Sequence, residues 1–248
     1  MSILDVDILA TDDSNLIKKW LVANCKIYGK CDIVDNMVHV KGNVVITNKQ
    51  IKSIDVQFGD VSGNFSCHNC YDLLSLNGSP KTCKYFDCSD CISLTDLTGS
   101  PDQVDIFICE DCINLKSLKG GPYIVNEKFT CRDCRNLESI DWYPISLDGS
   151  FVCSGCSSLK SFEGLPNIIY NLDCVGCRSL KSFEGAPKRI DRDINFSHCD
   201  SLCSLKGFPE IVCGDVLGSR CPNLRVTESD IRKISIVKGV VYYYAECY

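Results

Sequence analysis

Histidine is scarce in this chain, with only His39, His68 and His198 among 248 residues. That leaves little material for acid–base or metal chemistry built on imidazole. Positive charge is short as well: 26 Lys and Arg against 32 Asp and Glu give a formal net charge of −6. A protein that coats nucleic acid needs the opposite balance, because phosphate binding requires a basic surface. No apolar run approaches the roughly 18 residues of a membrane-spanning helix. The opening Met1-Ser2-Ile3-Leu4-Asp5 has no basic stretch followed by an apolar one, so no signal peptide is expected and the expected location is the cytoplasm. A glycine-rich phosphate loop, G-x-S-x-G and H-E-x-x-H are all missing. No catalytic residue is nominated.

Cysteine, by contrast, is abundant, with 20 copies. In a small secreted chain this reads as a disulfide framework, and in an intracellular chain as metal or redox sites. Spacing decides between them. Cys-x-x-Cys pairs begin at Cys67, Cys88, Cys109, Cys131, Cys153 and Cys174. Two further copies keep only the second cysteine, with Phe196 before Cys199 and Gly218 before Cys221. The second position runs Cys70, Cys91, Cys112, Cys134, Cys156, Cys177, Cys199, Cys221, always in steps of 21 or 22 residues. Eight copies in register mark an internal repeat.

Each unit reads roughly as an apolar residue, then Phe-x-Cys-x-x-Cys-x-x-Leu-x-Ser-Leu-x-Gly-x-Pro. Leu115 to Pro122 and Leu180 to Pro187 show the second half well. Phe86 and Cys88 alternate with Asp87, the period of a strand with one buried face. Only nine or ten residues remain for the return, too few for a helix of ordinary length, so turns or extended chain are expected there. No single unit can bury its apolar face, and the array is stable only when stacked. At about 4.8 Å between strands, about nine rungs make a rod roughly 40 Å long.

This frame resembles the leucine-rich-repeat family in its cysteine-containing form, over about residues 41–226, with Phe at the second leucine and cysteine often at the third. The resemblance implies a mainly β, right-handed solenoid with a concave parallel sheet. Trp20-Leu21, Val38-His39-Val40-Lys41-Gly42 and Gly63-Asn64-Phe65-Ser66-Cys67 are also similar to segments of tailed-bacteriophage proteins of unassigned role. The likeness implies a phage-encoded protein acting in the host cytoplasm.

Caps are expected at both ends of the stack, residues 1–40 and 227–248. Asp12-Asp13-Ser14-Asn15 offers helix caps ahead of Leu16 to Val22, and Asp35-Asn36 joins two apolar runs as a tight hairpin. Val44 to Ile54 reads as a first rung of the shorter, asparagine type. Trp20 and the hairpin are expected to close the apolar end. Thr227 is the expected N-cap of a short C-terminal helix, with Asp230 facing its free amides. Ile234 to Val237 and Val240 to Tyr244, around Lys238-Gly239, read as a final hairpin, and Tyr242 to Tyr248 as either a cap or an aromatic contact patch.

Neighbouring Cys-x-x-Cys pairs could present four sulfurs to zinc. Replacement of the first cysteine by Phe196 and Gly218 argues that the slot is core, so the thiols are expected to be structural, with no metal and no cofactor. An extended pair would also hold its Cα atoms roughly 10 Å apart, beyond disulfide reach. His68 and His198 flank cysteines but lie six repeats apart, and are expected to be solvated or contact residues.

Function is therefore sought at the outward strand positions. Residues 84–90, 105–111 and 127–133 carry seven acids (Asp87, Asp90, Asp105, Glu110, Asp111, Glu127, Asp133) and three bases (Lys84, Lys128, Arg132). With Tyr85, Ile106 and Ile108, these make an expected docking surface for a basic protein partner, formed by Tyr85, Asp87, Asp90, Ile106, Ile108, Glu110, Asp111, Lys128, Arg132 and Asp133. The expected function is a non-catalytic protein-binding module, a binder or inhibitor of a host or defence protein, with no nucleic-acid or membrane partner. The alternatives are a self-assembling virion or scaffold component and a zinc-binding regulator.

Overall fold

The computed structural model describes residues 12–244. Helix α1 (Asp12–Asn24) leads into β1 (Cys25–Val34) and β2 (Met37–Ile46), an antiparallel pair. Asp35 and Asn36 take φ of 51° and 59°, the mirror-image turn that a two-residue hairpin requires. Every later pairing is parallel. The strands are β3 (Gln57–Val61), β4 (Asn64–Ser66), β5 (Thr82–Asp87), β6 (Gln103–Ile108), β7 (Ile124–Thr130), β8 (Ser146–Leu147), β9 (Ser150–Val152), β10 (Ile168–Ile169), β11 (Asn171–Asp173), β12 (Arg189–Ile190), β13 (Ile194–Asn195), β14 (Ile211–Val212) and β15 (Val216–Ser219). Helix α2 (Glu228–Ile234), β16 (Ile236–Val237) and β17 (Val241–Tyr244) complete the order.

The chain is a β-solenoid of stacked coils. Its main sheet has 13 strands and runs β1-β2-β3-β5-β6-β7-β9-β11-β13-β15-β17, with β4 and β8 beside that path. A second sheet of four, β10-β12-β14-β16, forms where the first part of each later coil bends away from the second. At the start of the stack, Ile17 and Leu21 of α1 are buried and Trp20 packs against the core cluster.

The core is a set of columns one residue wide. Phe65, Phe86, Phe107, Phe129 and Phe151 stand in register on successive coils. Their rings stack with centroids 5.1–5.7 Å apart and interplanar angles of 5–20°. The column then turns aliphatic through Leu172, Ile194, Val216 and Val241, while aromatics move to the return side at Phe162 and Phe183. Total bulk per layer is thereby kept, as close packing demands.

In eight successive coils the strand of the main sheet leads into a tight turn with a left-handed residue. Asn69, Asp90, Asp111, Asp133, His198 and Arg220 have φ of 54–61°, and Gly155 and Gly176 hold the same place at 77° and 72°. Asn, Asp and Gly tolerate this conformation best. The turn also draws the cysteine pair together: Cys70 N–H donates to Cys67 O at 3.3 Å, as Cys156 does to Cys153 at 3.1 Å. The pair is a turn, not an extended segment, so its Cα atoms lie within about 7 Å and the distance argument against a disulfide fails. The thiols are engaged elsewhere. The second cysteine of each coil donates to the carbonyl at the first position of the coil before: Cys91 to Cys67, Cys112 to Cys88, Cys134 to Cys109, Cys156 to Cys131, Cys177 to Cys153, Cys199 to Cys174 and Cys221 to Phe196, all at 3.0–3.3 Å. Cys70, at the start of the stack, falls outside this series and makes a longer contact to Asn48 O at 3.9 Å. At Cys67, Cys131, Cys153 and Cys174 the carbonyl thus accepts twice, once from its own turn and once from the next thiol.

The last segment corrects the expected hairpin. β16 pairs in parallel with β14, and β17 pairs in parallel with β15, so residues 236–244 make one more coil. Lys238-Gly239 resembles a hairpin turn locally. However, Lys238 N–H bonds Val212 O, Gly239 N–H bonds Gly214 O and Val240 N–H bonds the Asp215 carboxylate, which copies the path of the coil below. The capping box on α2 is present as expected, with Thr227 Oγ1 accepting from Asp230 N–H and Asp230 Oδ2 accepting from Thr227 N–H. Of the expected tyrosine patch, residues 245–248 lie outside the described residues; Tyr243 Oη donates to Leu224 O.

Candidate functional site

Because side chains alternate along a strand, residues not used in the core columns form rows on the outer sheet face. Register fixes the rows. One runs Asn64, Tyr85, Ile106, Lys128, Ser150, Asn171; the next runs Ser66, Asp87, Ile108, Thr130, Val152, Asp173, Asn195. Glu110 and Arg132 follow on adjacent coils, their carbonyls accepting from Asp90 and Asp111 N–H, and Asp90, Asp111 and Asp133 make the outermost row. All ten residues expected at the surface therefore lie together on three neighbouring coils.

Exposure differs from expectation. Tyr85, Ile106 and Ile108 are half-buried, and Thr130 and Val152 on the same face are buried at 0% and 5% exposure. Thr130 Oγ1 donates to Glu110 Oε1 at 2.7 Å. Arg132 Nη2 reaches Asp173 Oδ2 at 3.8 Å, two coils away, while Ser154 Oγ donates to Asp173 Oδ1 at 2.7 Å. Arg132 is thus drawn toward the later coils and away from the acids.

Several of those acids have local duties. Asp87 Oδ1 accepts from Ser89 N–H at 3.0 Å, and Asp173 and Asn195 cap their turns in the same way. Asp90, Asp111 and Asp133 occupy left-handed positions where few residues fit. Stacking them still concentrates charge. Burial, and then Asp133, Asp90 and Glu110, raise the Asp111 carboxyl above its usual range, with Arg135 opposing. Burial and the carboxylates of Asp87 and Glu110 likewise raise the Tyr85 hydroxyl.

A neighbouring feature was missed by sequence reading. Lys128, Ser150, Val152, Asn171, Leu172, Asp173, Asp193 and Asn195 line a shallow depression of about 400 Å³ on this face. Its edge is a side-chain ladder: Asn171 Oδ1 accepts from Asp193 N–H at 3.0 Å, and Asp193 Oδ1 from Asp215 N–H at 2.7 Å. The signal was available, since Asn171, Asp193 and Asp215 recur every 22 residues just ahead of an inward aliphatic residue.

The inward thiols form a different chemical environment. Burial pushes Cys109 up to about 12, and Cys70 and Cys83 to about 12 as well. For Cys67 and Cys153 the thiol–thiol hydrogen bond, followed by burial, pushes the pKa well above the ordinary value. Neutral thiols are poor nucleophiles and poor metal ligands. Among the described residues no group of three or more His, Cys, Asp or Glu is arranged to hold a metal ion. His39 Nδ1 accepts from Asp60 N–H at 3.2 Å, His68 Nδ1 lies 3.7 Å from Asp87 Oδ2, and His198 sits in a left-handed turn. No described helix is long and apolar enough to cross a membrane.

Comparing the chain with protein-family models, with curated proteins and with solved structures found no match in any of the three.

Proposed function

We propose that this solenoid is a non-catalytic protein-binding module whose sheet face, centred on Tyr85, Ile106 and Ile108, docks a basic partner surface. One observation carries the reading: half-buried apolar side chains on adjacent coils are bordered by a stacked acidic row whose charges already strain one another. A cation brought to that row relieves the repulsion, and the apolar centre supplies the contact area. From the phage resemblance expected on sequence alone, the reading extends to a host or defence protein as the target, met in the host cytoplasm. Neither nucleic acid nor a membrane is part of this reading. Raised thiol pKa values and carbonyl-bonded sulfurs favour structural cysteines over a zinc-binding regulator.

The test compares affinity capture by the wild-type chain, Asp111→Arg and Ile108→Glu from host lysate, followed by binding measurements with the purified partner. The same partner should be lost from both variants, and its affinity for wild type should fall as salt rises from 50 to 500 mM. A partner held equally by all three, or none held by wild type, defeats the proposal.

A further inference from the structure

One coil departs from the repeat on its return side. Elsewhere a left-handed glycine makes the turn, as Gly99, Gly120, Gly164 and Gly185 do with φ of 79–109°. In the coil of Leu137 to Leu147, Trp142 stands where Gly120 stands one coil earlier, and the positive φ shifts to Asp141 at 39°. Trp142 is buried, its ring 4.4 Å from Phe129 and its Nε1–H donating to Pro122 O at 2.8 Å. Leu118 N–H consequently bonds Ile140 O, whereas Leu97 N–H one coil earlier bonds Lys119 O, so the ladder slips by one residue.

The slip opens a cleft of about 480 Å³ whose walls include Pro101, Asp102, Lys119, Tyr123, Trp142 and Tyr143. Large side chains stand exposed beside it: Tyr123 is 57% exposed, Tyr143 67%, Ile145 78% and, one coil on, Ile168 55%. Together these four expose on the order of 500 Å² of mainly apolar side chain, near the upper end of what a monomer leaves uncovered.

We propose that two copies of this chain pair through this patch about a two-fold axis, the Ile145 of each entering the cleft of the other. The patch is self-complementary in three respects. It carries a protruding aliphatic residue and an adjoining cavity on one surface, which a two-fold contact brings together twice. Its charges are of both signs, so Lys119 of one copy meets Asp102 or Asp141 of its mate. Its four large side chains alone supply on the order of 500 Å² of the roughly 800 Å² per partner that a standard interface buries. The patch lies on the return turns and the start of β10, and leaves the outer face of the main sheet open.

Sedimentation velocity of the full chain from 1 to 100 μM, in reductant so that the exposed Cys203 forms no cross-link, tests this directly. Wild type should sediment as two 27.5 kDa chains. Ile145→Asp should weaken association at least 100-fold, and Tyr143→Ser at least 10-fold. Both side chains are solvent-facing, so each variant should fold, with an unchanged far-UV spectrum. Asp111→Arg, on the sheet face, should leave the dimer intact and so separates this interface from the partner-binding face. A wild-type monomer at 100 μM, or a dimer that survives Ile145→Asp, overturns the proposal.

Discussion

Near the end of the stack, the first-cysteine column changes from thiol to Phe196 and then to Gly218, and the geometry makes these two residues one unit. A Cβ placed on Gly218 would lie 2.2 Å from both Cε2 and Cζ of Phe196. Carbon atoms in contact normally sit about 3.5–4.0 Å apart, so the ring would have to retreat by more than about 1 Å. It has nowhere to go: Phe196 is fully buried, with Phe183 at 5.2 Å and Phe208 at 6.2 Å between centroids. Gly218→Cys, which restores the repeat consensus, should therefore destabilise the protein by about 1–3 kcal/mol through overpacking. For a chain of this length that lowers Tm by roughly 2–12 °C. Phe196→Cys alone leaves a cavity and should cost about 3 kcal/mol. The double variant rebuilds two ordinary thiol layers and should come within about 1 kcal/mol of wild type, a favourable coupling of at least about 3 kcal/mol. Urea unfolding of the four proteins in reductant, followed by circular dichroism, gives the cycle. Additive effects, with coupling below about 0.5 kcal/mol, would refute the argument that one ring fills two layers.

The buried thiols set an alkaline limit on stability. Burial pushes Cys25, Cys70, Cys83 and Cys109 up to about 12, against 9.0 for an ordinary thiol. Below pH 9 their contribution is present in full; from about 9 to 12 the unfolded chain releases protons that the folded one retains. A fully buried thiol such as Cys109 then loses about 1.4 kcal/mol of stability per pH unit. Cooperative unfolding should appear between about pH 9 and 11, and a β spectrum intact at pH 11.5 would contradict it. Asp111→Asn keeps a residue suited to φ of 54° and removes one charge from the acidic row, so stability at pH 7 should rise by a few tenths of a kcal/mol, since the group is largely exposed. Because the raised carboxyl is already neutral in acid, that gain should vanish near pH 3; an equal gain at both pH values would show that charge is not the cause. Trp142→Phe removes the bond to Pro122 O and should cost about 1–3 kcal/mol by thermal unfolding, with no change if that bond does not hold the irregular turn.

Period alone determined much of this protein. A step of 21 or 22 residues, with alternation around Phe86 and Cys88, fixed the inward columns and the placement of the thiols, because stacked coils must repeat the same inward positions. Nearest-neighbour patterns, however, are blind to the coil below. Lys238-Gly239 reads as a hairpin by its own chemistry, yet the edge of β14 and β15 offered parallel partners, and the Asp215 carboxylate took the Val240 N–H. The ten surface residues were legible as one group, but their division of labour was not. Only the three-dimensional neighbours reveal that Asp87 caps a turn, that Arg132 leans toward Asp173, and that Ile106 and Ile108 are half covered. The cleft beside Trp142 depends on a one-residue slip between adjacent coils. Such a slip is a relation between two segments about 22 residues apart, and it comes into being only when they stack.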